Sequence, residues 1–168
     1  VALTTIWGIR LAAHILTRNR GKVEDYRYAA WRKEWKSLFY VRSYLQVFLL
    51  QGLLLFTVAL PVVLTAGLKN SFEVTAWTVA GIVLWVSGFL TESFADLQLR
   101  QFLSTKPPKG TVLQTGLWKY SRHPNYFGEV IQWWGMWVIM ASTTLSAELK
   151  LLGLLGPLTI TTLILFVS

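Results

Sequence analysis

The sequence predicts an all-α protein, a polytopic bundle of transmembrane helices with about five spans. Of its 168 residues, 54% are hydrophobic and only 14% are charged, against about 25% charged residues in an ordinary soluble domain. The apolar residues also collect in long runs, and a helix needs about 20 mostly apolar residues to cross a bilayer. The composition therefore indicates an integral membrane protein and excludes a disordered chain, which would have low hydrophobicity.

Five apolar segments approach the length of a span, and each is predicted to form a helix. These segments are residues 1–16, 41–67, 74–97, 126–142 and 149–168. Pro61 should kink the second helix, which neighbouring helices can tolerate in a membrane. The chain begins at Val1 and ends at Ser168 inside apolar runs, so we expect one transmembrane domain over 1–168 that is truncated at both ends.

Basic residues give the chain a net charge of +8, and they are not spread evenly. Of the 16 Lys and Arg residues, 13 lie in or directly beside two predicted loops, 17–40 and 98–125. The positive-inside rule places both loops in the cytoplasm. A pI near 10 is typical of nucleic-acid binding, but the hydrophobicity argues against a nucleic-acid partner. The basic excess is either a topology signal alone or also a phosphate-binding surface.

Two pairs of glycines predict where helices approach each other closely. Gly81 and Gly88 are seven residues apart in one predicted helix, and Gly128 and Gly135 have the same spacing in another. This spacing places each pair on one helix face, and small residues allow helix backbones in membranes to pack closely. We therefore interpret these glycines as packing residues.

The residues that could carry chemistry are few. The chain has no cysteine and only two histidines, so we expect no metal site. An ionisable residue inside a span is a functional hypothesis by default. Glu129 is the strongest, because Asn125, Glu129 and Trp133 are spaced one turn apart on one helix face. Pro124 is suited to the first turn of that helix, whose N-terminus favours an anion. The alternative is a structural hydrogen bond at Glu129.

Three further features are interpreted with an alternative kept open. Asp96 and Arg100 are four residues apart at the end of the third span, which also fits a simple ion pair on one helix. Arg122 stands beside the helix start, where its guanidinium can bind phosphate in a bidentate fork. Arg10 and His14 lie near the end of the first span, where Arg10 can also snorkel to the interface and His14 can be a packed histidine.

The string Ser-Arg-His-Pro-Asn-Tyr-Phe-Gly-Glu at 121–129 resembles the C-terminal domain of the steroid 5-alpha-reductase superfamily, in particular its bacterial membrane branch of unknown function. The resemblance implies an enzyme of the bacterial inner membrane that uses NADPH to reduce a carbon–carbon double bond in a steroid-like or other lipid enone. Together with the cations at the helix start, it gives a predicted cofactor site formed by Asn19, Arg20, Asp96, Arg100, Arg122, His123, Asn125, Tyr126, Glu129 and Trp133.

The group that polarises the substrate carbonyl is unassigned. Reductases of this superfamily use a Glu on an earlier helix, which would precede Val1, and a Tyr that would fall at about Gly8. Neither has a counterpart in this chain. Arg10 and His14 are weak candidates for a catalytic donor.

Two other functions are weighed against the reductase. Membrane methyltransferases of isoprenylcysteine or phospholipid amines carry Arg-His-Pro-x-Tyr-x-Gly, which residues 122–128 satisfy, and their cofactor is S-adenosylmethionine. Asn125 and Glu129 favour the reductase family, as do Asp96 and Arg100. A non-catalytic membrane scaffold is the third possibility.

Overall fold

The apolar runs form helices, and the residues that the structure describes contain no strand. The computed structural model describes residues 1–21, 26–68 and 73–166. Its α-helices are α1 (Ala2–Asn19), α2 (Tyr26–Trp35), α3 (Phe39–Arg42), α4 (Leu50–Val58), α5 (Leu60–Ala66), α6 (Ala76–Ser104), α7 (Pro124–Ala141) and α8 (Ala147–Phe166). Tighter 3-10 turns occur at Lys36–Leu38 and Gly116–Lys119, and Ser43–Leu49 is π-helical. The all-α prediction is confirmed.

Three helical stretches in the described residues are long and apolar enough to cross a membrane. They are Arg27–Val58, Ala76–Ser104 and Ala147–Phe166, at the places of the second, third and fifth predicted spans. Helices α1 and α7 form where the other two spans were predicted, but they are not among the three. Each has only 18 residues, and polar groups such as Arg10 and Glu129 reduce their apolar character. The structure thus fits an integral membrane protein, and five spans remains a prediction.

The predicted loops are shorter than expected because helices extend into them. The first, 17–40, contains helix α2, whose polar sequence has no apolar run to reveal it. The second, 98–125, begins later, because α6 continues to Ser104 instead of ending at 97. The residues that extend α6 include Leu, Gln and Arg, which favour helix independently of burial.

The chain divides into two compact units, Val1–Phe56 and Thr57–Ser168. In the second unit the helix that ends at Val58 is interrupted at Ala59, and α5 begins with Pro61 in its first turn. Proline is tolerated there because the first helical N–H groups have no partner inside the helix. The structure thus interrupts the predicted second span, 41–67, at Ala59, two residues before Pro61, and the kink itself stays a prediction.

Helices α6 and α7 run antiparallel and touch through their glycines. A Cβ atom built on Gly81 would lie 2.9 Å from the Gly135 carbonyl oxygen, and one built on Gly88 would lie 2.5 Å from the Gly128 oxygen. Real Cβ atoms do not approach a backbone oxygen so closely, so each position requires glycine. The predicted packing role of all four glycines is confirmed. This close approach brings the polar side chains of the two helices within hydrogen-bonding distance.

Candidate functional site

Two acid–amide pairs link α6 to α7. Asn125 Nδ2 donates to Asp96 Oδ1 at 3.2 Å, and Gln132 Nε2 donates to Glu92 Oε2 at 2.6 Å. Glu92, Asp96 and Gln132 are all buried. The structure therefore brings together Asp96 and Asn125, which the sequence had placed in one site from different helices. It adds a second pair, Glu92 and Gln132. Glu92 lies one turn before Asp96 on α6, and Gln132 lies two turns after Asn125 on α7.

Each amide in these pairs keeps an oxygen without a hydrogen bond. Asn125 Oδ1 and Gln132 Oε1 are both buried, and neither has a partner in the structure. Buried polar atoms are hydrogen-bonded in the large majority of cases, so an orphaned acceptor requires a reason. At Asn125, two residues into α7, a donor from a bound molecule would supply the missing hydrogen bond.

A cavity of about 1050 Å³ opens beside the start of α7. One wall is the last part of α6, and the other is the segment from Thr111 to His123. Small-molecule sites in proteins typically measure about 300–1,000 Å³, so this cavity could hold a ligand of nucleotide size. The cations and large aromatic side chains of its lining are Phe102, Trp118, Lys119, Tyr120, Arg122 and His123.

The wall formed by the segment from Thr111 to His123 is fixed to α6 by two hydrogen bonds. Trp118 Nε1 donates to the Ala95 carbonyl oxygen at 3.1 Å, and the Leu117 N–H donates to Gln98 Oε1 at 3.0 Å. Gly116, just before, has φ +60 and lies against the Gln98 amide. These contacts hold the 3-10 turn Gly116–Lys119 on the helix and leave Lys119 at the cavity.

Gly116→Ala should lower the free energy of unfolding by about 2–3 kcal/mol. A left-handed φ costs an L-residue about 1–2 kcal/mol, and a Cβ at Gly116 would lie only 2.5 Å from Gln98 Nε2. Gly110→Ala is the matched control, because Gly110 has φ +87 and nothing within 4 Å. Denaturant-induced unfolding in mixed micelles measures both. Equal losses of unfolding free energy in the two variants would contradict the conclusion that Gln98 holds the 3-10 turn Gly116–Lys119 against α6.

The start of α7 presents cations beside this cavity. The helix begins at Pro124, as predicted. The His123 ring stacks on Tyr126 with 5.0 Å between centroids, and the His123 N–H donates to Ser121 Oγ at 3.2 Å. Arg122 and His123 are exposed. The helix N-terminus carries a partial positive charge that adds to that of Arg122, so this end of α7 favours an anion.

The other predicted site residues fall in different surroundings. On α7, Glu129 is half-buried and Trp133 is buried, one and two turns after Asn125. Arg100, one turn after the buried Asp96 on α6, is exposed.

Four predicted residues belong to the first unit. Asn19 and Arg20 are exposed at the end of α1, and Arg10 and His14 are half-buried within it. They are therefore described separately from the site on α6 and α7.

Sequence reasoning missed Gln132 and Trp118. A signal for Gln132 was present: it is a polar residue inside the apolar run of α7, and it lies seven residues after Asn125. Glu92 precedes Asp96 by four residues, so two antiparallel helices could pair both acids with both amides. Trp118 had no such signal, because its contact with Ala95 depends on how the segment after α6 folds back.

The described residues form helices that fit an integral membrane protein, with two buried acid–amide pairs between α6 and α7 and a cavity lined by cations at the start of α7. The chain belongs to the family described as "Protein of unknown function (DUF1295)", whose model matches residues 1–168. An uncharacterized protein of the fission yeast Schizosaccharomyces pombe is 30% identical, over 78% of this chain and 44% of its own length. The chain thus spans less than half of that relative. No solved structure matches it.

Proposed function

We propose that this chain forms the cofactor-binding part of a membrane reductase that uses NADPH and acts on a carbon–carbon double bond in a lipid enone. The resemblance of residues 121–129 to the steroid 5-alpha-reductase superfamily supports this function. The observation that carries it is the cavity lined by Lys119, Arg122 and His123. His123 directly precedes α7, where Asn125 is hydrogen-bonded to the buried Asp96. The proposal includes five spans, with the two basic loops facing the cytoplasm of a bacterial cell.

The residues of the second unit suit each part of this cofactor. Lys119 and Arg122 would hold the phosphates, because guanidinium and ammonium groups form charge-assisted hydrogen bonds with phosphate oxygens. Trp118 and Tyr120 offer aromatic faces for the adenine ring. Asn125 Oδ1, buried and without a partner, would accept a hydrogen bond from the ribose or the carboxamide. Bound NADPH supplies a hydride to the substrate alkene.

The side chains of α6 and α7 contribute positioning in this mechanism. Asp96 accepts the Asn125 amide hydrogen bond and so fixes the direction of Asn125 Oδ1. The buried Glu92–Gln132 pair holds the same two helices at a fixed distance further along. Glu129 follows Asn125 by one turn and completes the predicted polar face. The proposed site does not use Arg10 or His14, so the donor to the substrate carbonyl is not assigned.

Isothermal titration of the intact protein in detergent tests this function. NADPH should bind, and Arg122→Gln should weaken its binding about tenfold, because one charge-assisted hydrogen bond to phosphate contributes at least about 1.5 kcal/mol. The control is Lys109→Gln, which removes one exposed cation outside the cavity lining. An equal loss in both variants would contradict a phosphate site at Arg122.

Titration with S-adenosylmethionine separates the reductase from the other two functions. Binding of S-adenosylmethionine without NADPH would overturn the reductase in favour of a membrane methyltransferase, whose motif residues 122–128 also satisfy. Binding of neither molecule would favour a non-catalytic scaffold. The expected result is binding of NADPH alone.

A further inference from the structure

In the first unit, the backbone changes conformation between the polar helix α2 and the more apolar α3, at a junction that we call the bend. Helix α2 ends at Trp35, and Lys36 has φ +44, a left-handed conformation that is uncommon for a residue other than glycine. Lys36 is the first residue of the 3-10 turn Lys36–Leu38, and α3 begins at Phe39. The bend lies near the start of Arg27–Val58, which is long and apolar enough to cross a membrane. If this stretch spans, its basic end lies at the level of the lipid headgroups.

Aromatic rings are stacked across this bend. Trp31 and Trp35 lie parallel, with 5.1 Å between centroids and 8° between planes. The Trp35 and Phe39 rings are 6.3 Å apart, although one belongs to α2 and the other to α3. Tryptophan and tyrosine are enriched where a membrane protein meets the headgroup layer. The ring stack is therefore suited to the interface between lipid and water.

Two arginines make cation–π contacts between the helices on either side of the bend. The Arg32 guanidinium of α2 lies 4.4 Å from the centroid of the Phe39 ring in α3. The Arg42 guanidinium of α3 lies 5.9 Å from the Trp35 ring in α2. Both arginines are exposed at the protein surface. These cation–π contacts restrict the guanidinium groups, so less conformational entropy is lost when an anion binds them.

We propose that this bend is a binding site for the headgroups of anionic phospholipids. Exposed basic residues outnumber acidic ones five to one over 27–42, where Glu34 is the acid. The basic residues are Arg27, Arg32, Lys33, Lys36 and Arg42. Clusters of four to eight cations next to a spanning helix bind anionic lipids through charge. The positive charge of these residues favours the phosphate of an anionic headgroup. The stacked aromatic rings suit the lipid–water interface where that headgroup lies.

Native mass spectrometry of the intact protein, titrated with lipid in detergent, tests this site. The protein should bind phosphatidylglycerol more tightly than phosphatidylcholine. A basic residue near an anionic membrane contributes about fivefold in affinity. The Arg32→Gln/Arg42→Gln variant should therefore bind phosphatidylglycerol about 25-fold more weakly. The matched control is Lys106→Gln/Lys109→Gln, which removes two exposed cations from the second unit.

Each outcome decides for or against the lipid site. An equal loss in the control would overturn it in favour of general electrostatic attraction. An unchanged affinity in the arginine variant would overturn it outright, because the two arginines would then not contact the lipid. If the double arginine variant fails to fold, Lys33→Gln, which removes an exposed cation with no ring contact in the described structure, should still weaken binding about fivefold. Displacement of the lipid by soluble glycerol 3-phosphate would also overturn the proposal, because a free phosphate would then be the ligand.

Discussion

Gly128→Ala is expected to lower the free energy of unfolding by about 3 kcal/mol, the upper end of the usual cost of overpacking. A Cβ at this position would lie 2.6 Å from the Glu92 nitrogen and 2.6 Å from the Gly88 oxygen. Both atoms belong to the backbone of α6, so no side chain can turn aside to make room. The helices must separate, and the Glu92–Gln132 hydrogen bond of 2.6 Å must lengthen.

Gly52→Ala provides the control for this experiment. Gly52 is also helical, but a Cβ there would have no neighbour within 4 Å. Both substitutions gain the helix propensity of alanine, about 1 kcal/mol, so the difference between them isolates the contact with α6. Unfolding in mixed micelles of increasing dodecyl sulfate fraction measures both. Similar stability in the two variants would show that α6 and α7 do not meet at Gly128.

The features that the sequence predicts depend on the type and spacing of residues that are close together in the chain. The start of α7 followed from Pro124, since proline fixes φ and needs no N–H partner in a first turn. The faces of α6 and α7 followed from glycines seven residues apart. Asp96 and Asn125 were placed in one site by the resemblance, and the structure joins them at 3.2 Å.

The features that sequence could not predict depend on contacts between distant segments. The cavity exists because the segment up to His123 folds back onto α6, where Trp118 reaches the Ala95 carbonyl. The bend at Lys36 places that lysine at a positive φ, which no local signal marks. The sequence predicts a loop where α2 forms, because the ten residues of α2 contain no apolar run of the kind that predicts a span.

Met140→Ala is the second substitution with a large expected effect, a loss of about 3 kcal/mol in the free energy of unfolding. Met140 is completely buried on α7, and its Sδ and Cε atoms fill the space beside Gly153 of α8. Truncation leaves a cavity between these helices that rigid backbones cannot close. Leu151→Ala is the control, because Leu151 is also on α8 but is 67% exposed.

A double-mutant cycle with Gly153→Ala tests whether Met140 and Gly153 share this space. Gly153→Ala alone should cost about 1–2 kcal/mol, because its new methyl group displaces the flexible Met140 thioether. In the double variant the same methyl group enters space that Met140 has vacated. The two losses should therefore fall short of additivity by about 1–2 kcal/mol, whereas pairs without contact add to within about 0.5 kcal/mol. The gain in helix propensity at 153 occurs in both backgrounds and cancels from the cycle. Additive losses would mean that Met140 and Gly153 do not share this space, and α7 would then be held to α8 by other contacts, such as the Trp134–Thr161 hydrogen bond at 3.2 Å.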